Sequence, residues 1–311
     1  MNESICIAVD SACDLPYQFI RAHGIRILPI NLRLGNQLYR DLREPESTIH
    51  LYKSKQLEKN VAAETEAVSV REITTFIERE LAVDYDTLLA ITISSKRSEI
   101  YKNIRESVFV GSNRFHNARR KQGIDKPLRI RIIDSEAIFP GQGLLAFEAC
   151  RLINDEANPL SDAVNQLEGL KKRIRGYLVP QSLYFLKNRA STKGDNNVGW
   201  IRYAVGGMLD IKPIIEAYHG ETQTVDKAKG FLRGIENVFV RATLAMKSGL
   251  CINAVNMSYA GNPKIIEATP EYQNFLKSAD YYGVTTLLSV MSTTAAINVG
   301  PGAFALAYAE S

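Results

Sequence analysis

The feature that most constrains the fold is a short apolar run that occurs three times and each time ends in a pair of small polar residues. The runs cover residues 5–9, 88–93 and 130–133, and they lead into Asp10-Ser11, Ser94-Ser95 and Asp134-Ser135. Apolar, largely β-branched runs of this length indicate strands buried on both faces, as in a parallel sheet. Ligands bind beyond the carboxyl ends of the strands in such sheets. We therefore expect a polar site where these strands end.

Helix patterns alternate with strand patterns in the first half of the chain. Further strands are expected at residues 25–28 and 30–34, and helices at 46–57, 69–81, 101–115 and 144–153. Such alternation favours a parallel sheet covered by helices. Asp14, followed by Pro16, predicts a capped helix start.

The pattern changes near Asn158-Pro159, where we place a domain boundary. Later strands are expected at 177–179, 211–215, 250–257, 284–290 and 303–308, and helices at 160–172, 227–246 and 270–279. Pro213 predicts an edge strand or a bulge, because proline cannot donate a ladder hydrogen bond. The chain is therefore predicted to be a two-domain α/β protein. Residues 1–158 would form a parallel-sheet α/β/α domain, and residues 159–311 a mixed α+β domain.

Composition argues against several classes of function. The formal net charge of +4 over 311 residues is too small for the positive field that nucleic-acid binding needs. Basic clusters at 119–121 and 171–175 are interpreted as solvated helix ends and loops, with a docking patch for a protein partner as the alternative. No run approaches the ~20 apolar residues of a membrane span, and no signal peptide is visible. We expect a cytoplasmic protein without stable membrane insertion.

The cysteines and histidines have no spacing typical of a metal or cofactor site. Cys6 and Cys150 fall within apolar patterns and are predicted to be small core residues. The histidines are scattered along the chain, and no hydrolase motif is present. We therefore expect no metal, no cofactor and no catalytic residue in this chain.

Glycines at two places predict a close approach of the backbone to a neighbour. Gly141-Gln142-Gly143 has the form of a dinucleotide-binding motif, but no strand directly precedes it. Its glycines are better explained by a helix N-terminus that approaches a ligand or a neighbouring domain. Residues 300–303 predict a tight turn between an extended segment at 297–299 and the final strand, with Asn298 directed at a ligand headgroup.

Seven motifs follow one another in a characteristic order. They are residues 10–16, residues 29–41, Thr65 with Ser69, residues 94–98 with Tyr101, Asp134-Ser135 with Gly141 and Gly143, residues 209–214, and residues 300–303. In this order they resemble the motifs of the DegV family of bacterial fatty-acid-binding proteins. The resemblance spans the whole chain.

The resemblance implies that the protein holds one long-chain fatty acid, with an acyl tunnel through an apolar interior covered by the second domain. The ligand-binding residues expected on this basis are Thr65, Ser94, Ser95, Asn298, Arg189, Gly141 and Gly143. The first three would hold the carboxylate near the domain junction. In some bacteria such proteins present the acid to a partner kinase, which makes acyl-phosphate. The binding protein is not the catalyst there.

Several positions depart from the family pattern. Glu66 replaces the serine after Thr65, and Glu99-Ile100 replaces a Gly-Thr pair. Residues 188–191 replace a Gly-Gly-Arg-Ile sequence, although Arg189 keeps the positive charge. Asn298 replaces the usual histidine; it can donate a hydrogen bond but cannot carry a proton or a positive charge.

Two other functions stay open on the sequence. One is an enzyme that uses a strand-end serine or Asp10 on a small acyl or phosphoryl substrate. The other is a divergent family member that has lost lipid binding and acts as an interaction module, which Glu66 and the loss of the Gly-Thr pair favour modestly.

Overall fold

The computed structural model describes residues 3–54, 57, 63–155, 158–187 and 210–311. The strands are β1 (Ile5–Asp10), β2 (Arg26–Leu28), β3 (Ile30–Leu34), β4 (Gln37–Asp41), β5 (Ala63–Glu66), β6 (Thr87–Thr92), β7 (Arg129–Asp134), β8 (Ile174–Val179), β9 (Ile211–Tyr218), β10 (Glu221–Lys229), β11 (Ala254–Tyr259), β12 (Thr285–Val290) and β13 (Phe304–Ala309). The helices are α1 (Tyr17–Ala22), α2 (Pro45–Lys53), α3 (Val70–Phe76), α4 (Ile100–Lys121), α5 (Pro140–Cys150), α6 (Leu160–Leu170), α7 (Phe231–Ser248), α8 (Lys264–Glu267), α9 (Pro270–Tyr281) and α10 (Thr293–Val299).

The three apolar runs form neighbouring strands of a parallel sheet, as predicted. Its order is β2-β1-β6-β7, and all of its pairs are parallel. Alternate residues of β1 pack into different cores: Cys6 and Ala8 into one, Ile7 and Val9 into the other. Helices α3 and α4 pack against each other on one side, and α5 contacts β1 and β6. The central strands β1 and β6 are buried almost throughout because both of their faces are covered, whereas the edge strand β7 alternates, with Arg129 and Arg131 exposed, so its predicted burial on both faces is wrong.

The second half of the chain forms a mixed sheet in the order β10-β9-β8-β13-β11-β12. Helix α5 contacts β8, β11 and β13 of this sheet as well as the parallel sheet. This position explains why α5 is apolar nearly all round, because a helix with only one buried face would show a polar stripe. Helix α7 packs against β8, β9 and β13, and α9 packs against β12. The α/β fold class is thereby confirmed.

A small antiparallel sheet, β4-β3-β5, extends from the end of β2. Strand β3 was expected to be extended, but β5 was not predicted. Its four residues, Ala63–Glu66, alternate between half-buried and exposed and carry no apolar run.

Some local predictions are wrong. Asp14 does not cap a helix; it is fully buried, and α1 begins after Pro16 without a side-chain cap. Residues from Lys227 onward do not begin a helix, because β10 runs to Lys229 and α7 starts only after Gly230 at φ +88°. Residues 297–299 are not extended: they end helix α10, so the glycine-rich turn joins a helix to β13.

Strand β9, which contains Pro213, is an interior strand, because β10 pairs along its outer side. The alternative interpretation, a bulge, is found in the partner strand: the register shifts between Thr224 and Asp226, next to the position opposite Pro213. Arg119, expected to be solvated, is only 1% exposed and donates hydrogen bonds to backbone carbonyls, including that of Ala82 at 2.7 Å. Within the described ranges, every helix is too short or too polar to cross a membrane.

Candidate functional site

A cavity of about 740 Å³ lies where the three sheets come together. The apolar part of its lining consists mainly of Gly176, Leu178, Ile215, Ala217 and Ala305 from the mixed sheet, with Ile30, Ile93, Ile138 and Phe139 from the N-terminal half. Small-molecule sites are typically of ~300–1,000 Å³ and mostly apolar, with a few polar groups that fix orientation. The volume and the aliphatic wall therefore suit a flexible apolar ligand.

The same cavity has a polar lining drawn from four parts of the chain. The uncharged polar residues are Thr65, Ser98, Thr222, Gln223, Thr294 and Asn298, and the charged ones are Glu66, Lys96, Arg97, Glu99 and Glu221. Helix α10, which carries Thr294 and Asn298, packs against strand β5, which carries Thr65. The polar groups of β5 and α10 therefore belong to neighbouring elements.

The turn between β9 and β10 is tied to the loop after β6. Lys96 Nζ contacts Glu221 at 2.7 Å and donates to the His219 carbonyl at 3.2 Å. Arg97 donates from Nε to the Gly220 carbonyl and from Nη2 to the Thr222 hydroxyl, both at 3.1 Å. The β9–β10 turn is thus fastened across the end of the parallel sheet, where it contributes to the cavity wall.

This turn covers Ser94, the first serine of the predicted pair. A Cβ atom added to Gly220 would lie 2.6 Å from Ser94 Oγ, and Ser94 is only 1% exposed. Ser95 is exposed, and its N–H donates to Asp134 Oδ1 at 3.1 Å. Neither is among the described residues that line the cavity, whereas Ser98 of the same loop is.

Helix α10 is held at its start by two buried carboxylates of the N-terminal half. Asp41 Oδ2 accepts hydrogen bonds from the N–H and the hydroxyl of Thr294, both at 2.8 Å. Asp14 Oδ1 accepts from the Ser292 N–H at 2.8 Å and lies 3.3 Å from Arg43 Nη1. Burial raises the pKa of Asp14, and the neighbouring guanidinium opposes that rise. Carboxylates at a helix N-terminus also interact favourably with the helix dipole.

Asn298, which was expected to be directed at a ligand headgroup, lies one helical turn after Thr294 and lines the cavity. Its Nδ2 donates to the Thr294 carbonyl at 2.7 Å. Its Oδ1 is buried and has no hydrogen-bond partner among the described residues. One N–H of the Asn298 amide is thus used within α10, and its oxygen is enclosed by protein.

Thr65 is half-buried on β5 opposite Leu32, and it lines the cavity together with the adjacent Glu66. Gly141 and Gly143 lie in the first turn of α5, outside the described lining. A Cβ at Gly143 would lie 2.1 Å from the Asp14 carbonyl oxygen and 2.5 Å from Asn256 Nδ2. Gly143 therefore permits α5 to approach both the loop after β1 and strand β11.

Asp10, at the end of β1, is fully buried outside the cavity lining. Its carboxylate accepts hydrogen bonds from the N–H groups of Ile93 at 2.7 Å and Ala12 at 2.9 Å, and from Gln142 Nε2 at 3.0 Å. Burial raises the pKa of Asp10 to about 6. These bonds tie the ends of β1 and β6 to α5.

Arg189, the remaining expected site residue, lies outside the described residues. Arg97, Ser98 and Thr294 line the cavity but were not predicted from the sequence as site residues. Arg97 and Ser98 belong to the same motif as Ser94, and that motif was the available signal. Nothing in the local sequence marks Thr294. Among the described residues, no cluster of three or more His, Cys, Asp or Glu side chains could hold a metal ion.

Comparison with known proteins agrees with this architecture. The model of the DegV family, described as uncharacterised proteins, matches residues 4–311. A DegV domain-containing protein of Xanthomonas axonopodis pv. citri is 39% identical over 305 residues, which cover 98% of this chain and 97% of that protein.

Two solved structures share the fold. A DegV lipid-binding protein from Thermotoga maritima is 19% identical with a TM-score of 0.75, over 99% of this chain and 98% of that one. A stearic-acid-binding protein from Eubacterium ventriosum is also 19% identical with a TM-score of 0.75, over 98% and 97%. The family model over nearly the whole length, together with the Xanthomonas relative, shows that this chain belongs to the DegV family.

Proposed function

We propose that the protein binds one long-chain fatty acid non-covalently, with the acyl chain in the cavity between the sheets. The observation that carries this proposal is the cavity itself: about 740 Å³, with an aliphatic wall and polar groups from β5 and α10. The description of related structures as lipid- and stearic-acid-binding supports it. Burying about ten methylene groups at about 0.8 kcal/mol each contributes about 8 kcal/mol before the costs of association.

We propose that Thr65 and Asn298 contact the head of the ligand directly, because both line the cavity. Ser94 and Ser95 would act through the loop that carries Ser98 and Arg97. Gly141 and Gly143 would act by letting α5 pack closely. Arg189 is proposed only from the family resemblance.

A substitution that shortens the cavity tests where the acyl chain lies. Ala305→Leu adds a branched side chain to the cavity wall on β13, and Ala228→Leu makes the same change on β10 outside the lining. We expect Ala305→Leu to lower the affinity for an eighteen-carbon fatty acid by ~10-fold or more and the affinity for a twelve-carbon fatty acid much less. Ala228→Leu should change neither affinity. Equal losses for both chain lengths, with both variants folded, would contradict this placement.

We further propose that the chain is not itself a catalyst and presents the bound acid to a partner kinase. The exposure of Lys96, which lines the cavity, and of the adjacent Ser95 supports this, because a partner has to reach the ligand head. The covered hydroxyl of Ser94 and the three hydrogen bonds on Asp10 argue against the serine- or Asp10-based enzyme. Incubation of the fatty-acid-loaded protein with ATP and the fatty acid kinase of a family relative should yield acyl-phosphate, which can be trapped with hydroxylamine as a hydroxamate. Product formed without the kinase, or none with it, would contradict the proposal.

A further inference from the structure

The β9–β10 turn, residues 218–221, extends past the rest of the mixed sheet. The pairing of β9 with β8 ends at Ala217, whereas the pairing of β9 with β10 continues to Tyr218 and Glu221. Because β10 is an edge strand, no further strand of the described sheet lies beside the turn. The turn can therefore move away from the N-terminal half without breaking hydrogen bonds between β9 and β8.

The turn meets the N-terminal half at two non-glycine residues that have a left-handed backbone. Glu136, in the loop after β7, has φ +52°, and His219 has φ +51°. The N–H of Gly220 donates to the Glu136 carbonyl at 2.7 Å, and His219 Nδ1 lies 3.3 Å from Glu136 Oε2. Residues in this region of φ are strained, and strained residues cluster at ligand clamps and switch regions. The contact between Glu136 and His219 therefore marks a candidate for movement.

Polar groups hold the turn in place. Lys171 Nζ lies 3.1 Å from Glu136 Oε1. The side chains of Lys96 and Glu221, which pair at 2.7 Å, are 53% and 62% exposed. Ion pairs as exposed as this one contribute little to stability. We therefore expect water to replace these contacts at a small cost in free energy when the turn moves, in contrast to the apolar contacts of a core.

The turn covers Ser94 and leads directly into the cavity wall. Ser94 is 1% exposed, and its Oγ would lie 2.6 Å from a Cβ atom at Gly220. Glu221 lines the cavity, whereas Tyr218 and His219 line a second groove. Movement of the turn would thus widen the cavity at the end of the parallel sheet and expose Ser94.

We infer that the β9–β10 turn is a gate through which the fatty acid enters and leaves the cavity, and that Glu136 holds this gate closed. The inference rests on the proposed fatty-acid binding and specifies how exchange of the ligand is controlled. Movements of loops that enclose a ligand commonly set the rates at which it binds and leaves. Because the gate has to open for entry and for exit, weakening it raises the association and dissociation rates by the same factor. The affinity then stays constant, whereas damage to a fixed wall would lower the affinity.

Gly220→Ala tests the gate by pushing the turn away from Ser94, because the added Cβ would overlap Ser94 Oγ. Gly123→Ala is the matched control, since Gly123 has the same φ of +75° and nothing within 4 Å of an added Cβ. Exchange is measured with radioactive palmitic acid delivered from a cyclodextrin carrier. We expect Gly220→Ala to raise the association and dissociation rates by ~10-fold each, and Gly123→Ala to change neither.

Glu136→Ala weakens the gate without adding an atom at the turn, because it removes the carboxylate that contacts His219 and Lys171. Glu168→Ala is the matched control, since Glu168 also pairs with Lys171, at 2.7 Å, but makes no described contact with the turn. We expect Glu136→Ala to raise both rates and Glu168→Ala to leave them unchanged.

Alkylation of a thiol at position 94 by iodoacetamide reports opening of the gate without any ligand. The test uses Ser94→Cys together with Cys251→Ser, because Cys251 is exposed and the other cysteines are buried. Adding Glu136→Ala should speed the alkylation, and adding Glu168→Ala should not.

Exchange rates in Gly220→Ala and Glu136→Ala that match those of their controls would overturn the inference. A lower affinity with an unchanged association rate would also overturn it, because the turn would then be a fixed wall. Wild-type protein that does not bind palmitic acid would overturn the proposed function instead, and the alkylation rates would still decide whether the turn opens.

Discussion

The hydrogen bonds between Asp41 and Thr294 should hold α10, and with it Asn298, in place. Asp41 and Thr294 are each 4% exposed, so water cannot replace a lost partner. Asp41→Ala would leave the N–H and hydroxyl of Thr294 and the N–H of Arg43, which donates to Asp41 Oδ1 at 3.0 Å, without an acceptor. At about 1–3 kcal/mol for each of these three buried groups left unpaired, the free energy of unfolding should fall by about 3–9 kcal/mol.

Thr294→Val removes only the hydroxyl bond and keeps the shape of the side chain. The bond is made to a carboxylate, so its loss should cost about 1.5–3 kcal/mol. Thr293→Val is the matched control, because Thr293 is also 4% exposed on α10 but does not bind Asp41. In the Asp41→Ala background, Thr294→Val should cost almost nothing further, because its partner is already gone.

Urea unfolding of the four variants and the wild type measures these free energies. Retention of bound fatty acid, measured on the same samples, should fall in Asp41→Ala because Asn298 loses its support. Equal costs for Thr293→Val and Thr294→Val would refute the reasoning. Full additivity of Asp41→Ala and Thr294→Val would do the same.

Three further predictions concern the scaffold. Gly143→Ala should destabilise the protein by more than about 2 kcal/mol in thermal or urea unfolding, because its Cβ would overlap a backbone oxygen at 2.1 Å, whereas Gly169→Ala in α6, with nothing within 4 Å, should stabilise it by about 0.5–1 kcal/mol. Arg119→Met should lower the free energy of unfolding by about 3–5 kcal/mol in the same assay, because it leaves buried carbonyl oxygens without a donor. Arg120→Met should change it by close to nothing, because Arg120 is exposed. Burial raises the pKa of Asp10 from 3.8 to about 6, so the folded state holds the Asp10 proton more tightly than the unfolded chain does. The contribution of Asp10 to the free energy of unfolding should therefore fall by up to about 3 kcal/mol as pH rises from 3.8 to about 6. Asp10→Asn should remove that pH dependence, and an unchanged profile relative to wild type would contradict the role of burial.

The parallel sheet could be predicted from sequence because its central strands, β1 and β6, are buried on both faces and therefore form continuous apolar runs. The same reasoning failed for β5 and β10. Ala63–Glu66 contains little apolar surface, and its place depends on pairing with β3. Glu221–Lys229 is polar on a sheet edge, so its C-terminal end reads as the beginning of the amphipathic helix that follows.

The candidate site was predictable only in part, for a similar reason. Thr65 and Asn298 were reached through motif order, and both line the cavity. The burial of Ser94 depends on the turn at Gly220, which covers Ser94 and lies more than a hundred residues later in the chain. The support of α10 by Asp41 likewise joins residues 253 positions apart. Local patterns carry no information about such contacts, which arise only when the two halves pack.

Mass spectrometry of the small molecules released on denaturing the purified protein tests the central claim most directly. We expect one long-chain fatty acid, close to one molecule per chain. A protein that is empty on purification and also fails to take up added palmitic acid would contradict this expectation. In that case the interaction-module function, without lipid binding, would be favoured.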